Sequence, residues 1–242
     1  MRENFEEFVV PLSHVDLICK DSKIEPEKIT NVYLYGSRLD GSAESTSDYD
    51  LMLVGEIEEP PLDFIVKKDP YFYQFERKSI EIEKRKYDYI IHSNINFEKL
   101  LEINFLMFVE PLYSEAKYKT INKIDYKKMF IEKFLQVRKI KKALRNITNK
   151  STAVYSKFKQ NKIDSKFDGK WVLKKIFNTL RYHKSCLNFL LTNDFSGWGQ
   201  LSDTKSSIFK RYYEEGDNCV DQIYQTLSKD VSIISKQINE FK

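Results

Sequence analysis

Two aspartates, Asp48 and Asp50, stand one residue apart at the start of the apolar run 51–54. Successive side chains on a strand alternate between its two faces, so both carboxylates project from one face, roughly 6–7 Å apart. Hard divalent cations such as Mg²⁺ or Mn²⁺ prefer carboxylate oxygens and leave room for water and phosphate oxygens. The pair is therefore a candidate metal site.

A glycine and a serine, Gly36 and Ser37, interrupt an earlier strand-like stretch at 31–35 that is rich in β-branched and aromatic residues. Glycine lets the backbone approach a phosphate closely, and the serine hydroxyl can hydrogen-bond it. A phosphate-holding turn beside a metal-holding pair favours nucleotidyl transfer from a nucleoside triphosphate. The alternative is purely structural, because a strand, a tight turn and an exposed Asp-x-Asp occur by chance in many globular proteins.

The spacing of these residues resembles a known family signature. Ten residues separate Ser37 from Asp48. The fuller pattern adds four residues, which are Tyr35, Arg38, Gly41 and Ser47. The pattern resembles the DNA polymerase β-like nucleotidyltransferase superfamily, and within it a branch of predicted nucleotidyltransferases that includes RNA-repair-pathway members. The resemblance implies two-metal phosphoryl transfer with Asp48 and Asp50 as catalytic metal ligands. The nucleotide-binding residues that it implies are Gly36, Ser37, Arg38 and Ser47.

A third carboxylate, Asp88, stands in the strand-like run 79–92 among tyrosines and isoleucines. An ionised carboxylate beside a sheet core needs a partner, and a metal ion is one that suffices. In the family, a strand with a third carboxylate leads into a Leu- and Phe-rich helix. Here the strand-like run with Asp88 is followed by such a helical stretch at 97–101. The resemblance therefore implies that Asp88 is the third catalytic metal ligand. Glu81 and Glu83 are competing candidates, but they lie earlier in the run and at the opposite parity. Asn94 or Asn96 is expected to cap the helix, which runs to about residue 107.

A later helix carries a second, thinner match. Lys174, Asn178 and Arg181 recur at intervals of four and three residues, which places them on one helix face. The resemblance implies that Lys174 and Arg181 hold the triphosphate or the leaving pyrophosphate. Asn178 stands where the family tends to have histidine, which removes a possible proton donor. The alternative is a solvated basic helix face.

The composition is that of an ordinary globular chain. Of 242 residues, 31% are charged and 41% hydrophobic. The longest apolar runs fall far short of the ~20 residues that a membrane span needs, and the N-terminus lacks a signal-peptide core. The three cysteines are scattered, which is typical of reduced thiols rather than of zinc ligands. We therefore expect a cytoplasmic protein with no membrane association.

Charge divides the chain into two parts. Residues 1–115 contain 13 Lys and Arg against 24 Asp and Glu, whereas residues 116–242 contain 27 against 12. This asymmetry predicts an acidic, metal-gathering part beside a basic part that could hold a polyanion, although Lys-rich helices can also simply solvate themselves. From about residue 117 the pattern becomes long and helical. We predict an α+β fold: a nucleotidyltransferase-type mixed sheet with flanking helices at 1–115, followed by an all-helical basic domain at 116–242.

These observations predict a metal-dependent nucleotidyltransferase that binds a nucleoside triphosphate and Mg²⁺ or Mn²⁺. The basic half favours an RNA end as the acceptor, although no aromatic RNA-binding motif is present. A protein or small-molecule acceptor, as in toxin–antitoxin or antibiotic-modifying transferases, is chemically equivalent. A catalytically inactive relative that binds nucleotide or RNA is the third alternative, and the retained carboxylates argue against it.

Overall fold

The protein is described by a computed structural model over residues 9–39, 43, 47–60, 76–160, 168–195 and 201–241. Gly41 of the sequence motif lies outside these ranges. Two compact units divide the chain, Met1–Leu135 and Gln136–Lys242.

Among the described residues, the first unit is built on a five-stranded mixed sheet with strand order β3-β4-β2-β1-β5. The strands are β1 (Ile29–Tyr35), β2 (Tyr49–Gly55), β3 (Lys78–Ile82), β4 (Arg85–Ser93) and β5 (Lys119–Asn122). β2 and β4 run parallel, and every other neighbouring pair is antiparallel. The parallel pair brings the start of β2 beside the start of β4, and both starts carry aspartates.

Helices cover both faces of this sheet. The helices of the first unit are α1 (Leu12–Asp21), α2 (Asn94–Glu102), α3 (Leu106–Val109) and α4 (Tyr126–Met129), which continues as a π-helical turn, Phe130–Phe134. On one face, Val15 and Ile18 of α1 belong to the same buried cluster as Val32 and Leu34 of β1. On the other, Phe97 of α2 stacks on Tyr33, with ring centroids 6.1 Å apart. β1 is therefore buried along its whole length.

Helix α2 differs in detail from the sequence prediction. Its N-cap is Ser93, whose hydroxyl accepts a hydrogen bond from the Asn96 amide at 3.2 Å, rather than Asn94 or Asn96. The helix ends at Glu102, before the predicted end at about residue 107. Asn104 lies close behind it with a φ of +54°, a conformation that asparagine tolerates. Its side-chain amide donates to the carbonyls of Leu101 and Phe134 and so fixes this break.

β5 is the main departure from the helical pattern predicted after residue 117. It pairs with β1, and buried Asn31 fastens the two segments. The Asn31 amide donates to Asn122 Oδ1 and to the Ile124 carbonyl, each at 2.9 Å, and its Oδ1 accepts from the Ile124 amide at 3.3 Å. These contacts keep the segment after residue 115 with the sheet, so the two units divide after Leu135.

The described part of the second unit is all-helical, with α5 (Val137–Lys159), α6 (Gly169–Thr192), α7 (Ser202–Glu215) and α8 (Val220–Glu240). α6 packs against both α5 and α8. Asp168 caps α6 by accepting from the Trp171 amide at 2.8 Å. The predicted fold class, a mixed sheet with flanking helices and a C-terminal helical part, is confirmed. Within the described ranges, no helix has the length and apolar character needed to cross a membrane.

Candidate active site

Three aspartates meet at the start of the parallel strand pair. Asp50 of β2 lies directly opposite Asp88 of β4 in the strand register. Parallel neighbours are about 4.8 Å apart, and paired residues project from the same face. Asp48 immediately precedes β2 and shares the parity of Asp50, so it projects from that face as well. The structure thus brings together the three carboxylates that the sequence analysis selected, and all three are partly exposed.

Two cations lie against these carboxylates. Lys86 Nζ is 2.8 Å from Asp48 Oδ2 and 3.5 Å from Asp88 Oδ1. The two carboxylate oxygens are therefore no farther apart than the sum of these distances. Arg77 Nη1 lies 3.5 Å from Asp50 Oδ1. The hydrogen bond to Asp48 raises the pKa of Lys86, and the charges of Asp88 and Asp48 add to the effect against an opposing desolvation.

Asp88 has a further fixed partner across the sheet. Ser79 of β3 is its register neighbour, and the Ser79 hydroxyl donates to Asp88 Oδ1 at 2.6 Å. This bond orients the carboxylate while leaving its second oxygen available. Ser79, Lys86 and Arg77 were not among the residues predicted from the sequence. Lys86 could have been found, since it precedes Asp88 by two residues and must share its face.

Gly36 packs directly against the Asp50 carboxylate. Its φ is +74°, and a Cβ built on it would lie 2.1 Å from Asp50 Oδ2. Glycine is therefore required at this position for two reasons: the positive φ, and the close approach of the Asp50 carboxylate. Ser37 follows in the short 3₁₀ turn Gly36–Arg38 and is half-buried. Its hydroxyl forms no hydrogen bond with any described residue, which leaves it available to an incoming phosphate oxygen.

Arg38 faces the protein rather than solvent. It is only 6% exposed, and its guanidinium lies 3.7 Å from the centre of the Tyr49 ring. Its Nε donates to the Asp48 carbonyl at 3.2 Å and its Nη2 to the Ser47 carbonyl. In this structure Arg38 positions the backbone that carries Asp48. A direct contact of Arg38 or Ser47 with a nucleotide stays a prediction.

Tyr35 borders the site from β1, where it is the register partner of Asp50. It is 4% exposed, and its hydroxyl has no hydrogen-bond partner in the described part of the chain. Burial raises the pKa of this phenol, and although Arg77 opposes the shift, Asp50 and Asp88 add to it. Tyr35 is therefore neutral across the physiological range and adds no charge beside the aspartates.

The parity argument against Glu81 and Glu83 is wrong. The run 79–92 is a hairpin whose turn residues, Glu83 and Lys84, have φ values of +50° and +65°. Glu81 pairs with Lys86 across this hairpin and so shares a face with Asp88. Glu81 is nevertheless exposed, and it forms no hydrogen bond or ion pair with the described residues. Glu83 instead lies 3.3 Å from His14 Nε2.

Lys174, Asn178 and Arg181 all lie on α6 in the second unit. Their exposure falls along the helix: Lys174 is exposed, Asn178 is half-buried and Arg181 is 5% exposed. The Arg181 guanidinium lies 4.8 Å from the centre of the Tyr182 ring. A triphosphate-binding role for Lys174 and Arg181 stays a prediction.

The donor set suits a hard divalent cation, because it holds three carboxylates on two adjacent strands, and two of them, Asp48 and Asp88, converge on a single ammonium group. In the described ranges, no three acidic, histidine or cysteine side chains already stand in a metal-binding arrangement. The positive charges of Lys86 and Arg77 offset the negative charges of these carboxylates. A metal ion bound to Asp48 Oδ2 or Asp88 Oδ1 would take the place that the Lys86 ammonium occupies.

Comparison with known proteins adds little information on function to this geometry. No protein-family model matches the chain, and no curated protein sequence matches it. Among solved structures, the chain is similar to a nucleotidyltransferase-like protein from Exiguobacterium sibiricum 255-15, with 9% sequence identity and a TM-score of 0.34. That similarity covers 93% of this chain and 74% of the other. At this TM-score the likeness carries no weight for function, and the RNA-repair branch stays a prediction.

Proposed function

We propose that the chain is a metal-dependent nucleotidyltransferase that moves a nucleoside monophosphate from a nucleoside triphosphate to an acceptor hydroxyl. One observation carries the proposal: Asp50 and Asp88 lie in register on parallel strands, and Asp48 shares Lys86 with Asp88. One of the three carboxylates, that of Asp50, packs against Gly36, which is followed by Ser37, whose hydroxyl would hydrogen-bond a phosphate. The acceptor hydroxyl loses its proton to water and its oxygen forms a bond to the α-phosphorus, while the bond from the α-phosphorus to the oxygen that bridges to the β-phosphate breaks and pyrophosphate leaves with that oxygen.

The protein's own residues mainly hold and orient the reactants. Asp48, Asp50 and Asp88 would hold Mg²⁺ or Mn²⁺, which when bound activates the attacking hydroxyl and neutralises charge on the pyrophosphate. Gly36 packs against the Asp50 carboxylate, and the Ser37 hydroxyl, which has no hydrogen-bond partner among the described residues, would donate a hydrogen bond to the triphosphate. Positioning of this kind accounts for most of the catalysis in phosphoryl transfer, which leaves the protein little covalent work.

An RNA end is the acceptor that charge favours. α5 contains eight Lys and Arg and no acidic residue. Arg138, Lys142 and Arg145 recur at intervals of four and three residues and are all exposed. They form no hydrogen bond or ion pair with the described residues, so this cationic stripe can neutralise phosphates at no cost in internal contacts. A protein or small-molecule acceptor would not need such a stripe.

The proposal is tested by supplying each α-³²P-labelled nucleoside triphosphate with Mg²⁺ and, separately, RNA, protein or aminoglycoside acceptors. We expect labelled RNA with the wild type, and loss of labelling with EDTA or with Asp50→Asn. Asp16→Asn is the matched control, because Asp16 is an exposed aspartate of α1 with no described hydrogen bond or ion pair. Labelling by Asp50→Asn at the wild-type rate would refute the assignment of the active site. Label on a protein or aminoglycoside instead of RNA would refute only the choice of RNA as the acceptor.

RNA affinity as a function of salt tests the stripe separately. Replacing Arg138, Lys142 and Arg145 by Gln should weaken single-stranded RNA binding and flatten its logarithmic salt dependence by about 2, since each phosphate contact contributes roughly −0.7 to the slope. The control variant removes equal charge from other exposed positions of the same unit, namely Lys210, Lys229 and Lys236. An equal effect in both variants would show general charge attraction rather than a binding stripe.

A further inference from the structure

Lys86 occupies the space between two of the proposed metal ligands. Its ammonium nitrogen is 2.8 Å from Asp48 Oδ2 and 3.5 Å from Asp88 Oδ1. Both oxygens that face this ammonium belong to carboxylates that the proposed divalent cation would use. Asp88 Oδ1 additionally accepts the Ser79 hydroxyl, so its orientation toward Lys86 is fixed from a second side.

The strand register explains why a lysine lies there. β2 and β4 pair in parallel with Tyr49 opposite Tyr87, which brings the preceding residues, Asp48 and Lys86, beside each other. Lys86 shares the parity of Asp88 and therefore its face. Three carboxylates at the start of two adjacent strands repel one another, and Lys86 with Arg77 offsets that repulsion.

Lys86 can also leave this position easily. Its side chain is 52% exposed, whereas Arg38 nearby is held by a ring and two carbonyls. Ion pairs at this exposure are weak, and the flexible lysine stem lets the ammonium move into water. A dehydrated divalent cation bound to the same carboxylates attracts them more strongly than a monovalent ammonium does.

We propose that Lys86 is a built-in counter-ion that competes with the divalent metal for Asp48 and Asp88 and thereby sets the metal affinity of the site. The inference rests on the proposed function, because it takes these aspartates as metal ligands. Without metal, Lys86 stabilises the folded site. When metal binds, Lys86 is displaced into solvent. The lysine thus has two effects: it weakens metal binding, and its ion pairs stabilise the metal-free protein.

The test is the affinity for Mn²⁺, measured by electron paramagnetic resonance of the free ion with the full chain and no nucleotide. Lys86→Gln should bind Mn²⁺ roughly two- to tenfold more tightly than the wild type, since two half-exposed ion pairs no longer compete. Its melting temperature in EDTA should be lower, and the rise on adding Mn²⁺ larger. Lys86→Arg, which keeps the charge, should stay near the wild type.

Lys84→Gln is the control, because Lys84 is exposed in the turn of the same hairpin and makes no described contact with the aspartates. It corrects for the general loss of one positive charge. Tighter binding in Lys86→Gln than in Lys84→Gln supports the inference. Equal or weaker binding overturns it and leaves the proposed function intact. No Mn²⁺ binding by either the wild type or Lys86→Gln overturns both.

Discussion

Replacing Gly36 by alanine tests how closely the Gly36–Arg38 turn packs against Asp50, one of the proposed metal ligands. The added methyl carbon would lie 2.1 Å from Asp50 Oδ2 and 2.9 Å from its Cγ, so the carboxylate must move. A displacement of about 1 Å in an active-site group can cost about 10²-fold in rate. The left-handed φ of +74° adds backbone strain of about 1–2 kcal/mol for a residue with a Cβ.

We therefore expect Gly36→Ala to lose about 10²-fold in nucleotidyl transfer and about 1–3 kcal/mol of stability. Gly216→Ala is the matched control, because Gly216 has a φ of +61° and nothing within 4 Å of a built Cβ. It should lose stability through backbone strain but keep its transfer rate. The assays are release of labelled pyrophosphate and urea denaturation. Transfer by Gly36→Ala within a fewfold of the wild type would refute the close coupling of Gly36 to Asp50.

Three further predictions concern the surroundings of the site and the sheet. Asp88→Asn should abolish transfer while keeping most of the affinity for nucleotide, measured by equilibrium dialysis. Glu81→Gln should keep both the transfer rate and the nucleotide affinity. Equal losses in the two variants would contradict the assignment of Asp88 as the third metal ligand. Burial raises the pKa of Glu59, but hydrogen bonds from His92, the Ser93 amide and Asn96 outweigh it and lower the pKa. The lowered folded-state pKa gives stability that is present above the unfolded-state pKa and lost as pH falls, so Glu59→Gln should show a flatter acid limb in urea denaturation. Asn31→Leu should cost about 2–4 kcal/mol of unfolding free energy, since it leaves the buried polar groups of the β1–β5 junction unpaired, and a cost near zero would show that they find other partners.

The two central strands and the aspartates beside them could be predicted from the sequence, because buried strands are runs of apolar, β-branched and aromatic residues. The stretches 31–35 and 51–54 fall inside β1 and β2. Alternation along one strand then places Asp48 and Asp50 on one face. That Asp88 lies beside Asp50 depends on which strand pairs with β2, and no local pattern contains that information. The family resemblance supplied Asp88 as a candidate before the register showed where it lies.

The hairpin at 82–85 escaped prediction for a physical reason. Its turn residues are Glu83 and Lys84, both with positive φ, a conformation that Gly, Asn or Asp usually marks in hairpin turns. Without such a marker the run 79–92 looks like one strand, and the parity argument drawn from it failed. β5 was not predicted either, because its pairing depends on contacts with the buried Asn31, which lies far earlier in the chain.

The cations of the site were missed because ion pairing depends on three-dimensional proximity. Arg77 precedes β3, yet it reaches Asp50 two strands away in the sheet. Arg38, in turn, was selected as a nucleotide ligand from its place in the motif. The structure shows its guanidinium holding the backbone of residues 47–48, a function that spacing alone does not reveal.

The most direct test of the proposed site is a crystal structure with Mn²⁺ and a non-hydrolysable nucleoside triphosphate, with the metal located by anomalous scattering. We predict an anomalous peak at about 2.2 Å from carboxylate oxygens of Asp48 and Asp50, with the Asp88 carboxylate beside it and Lys86 displaced. A nucleotide bound elsewhere, or a metal that leaves Asp48, Asp50 and Asp88 paired with Lys86 and Arg77 as they are now, would contradict it.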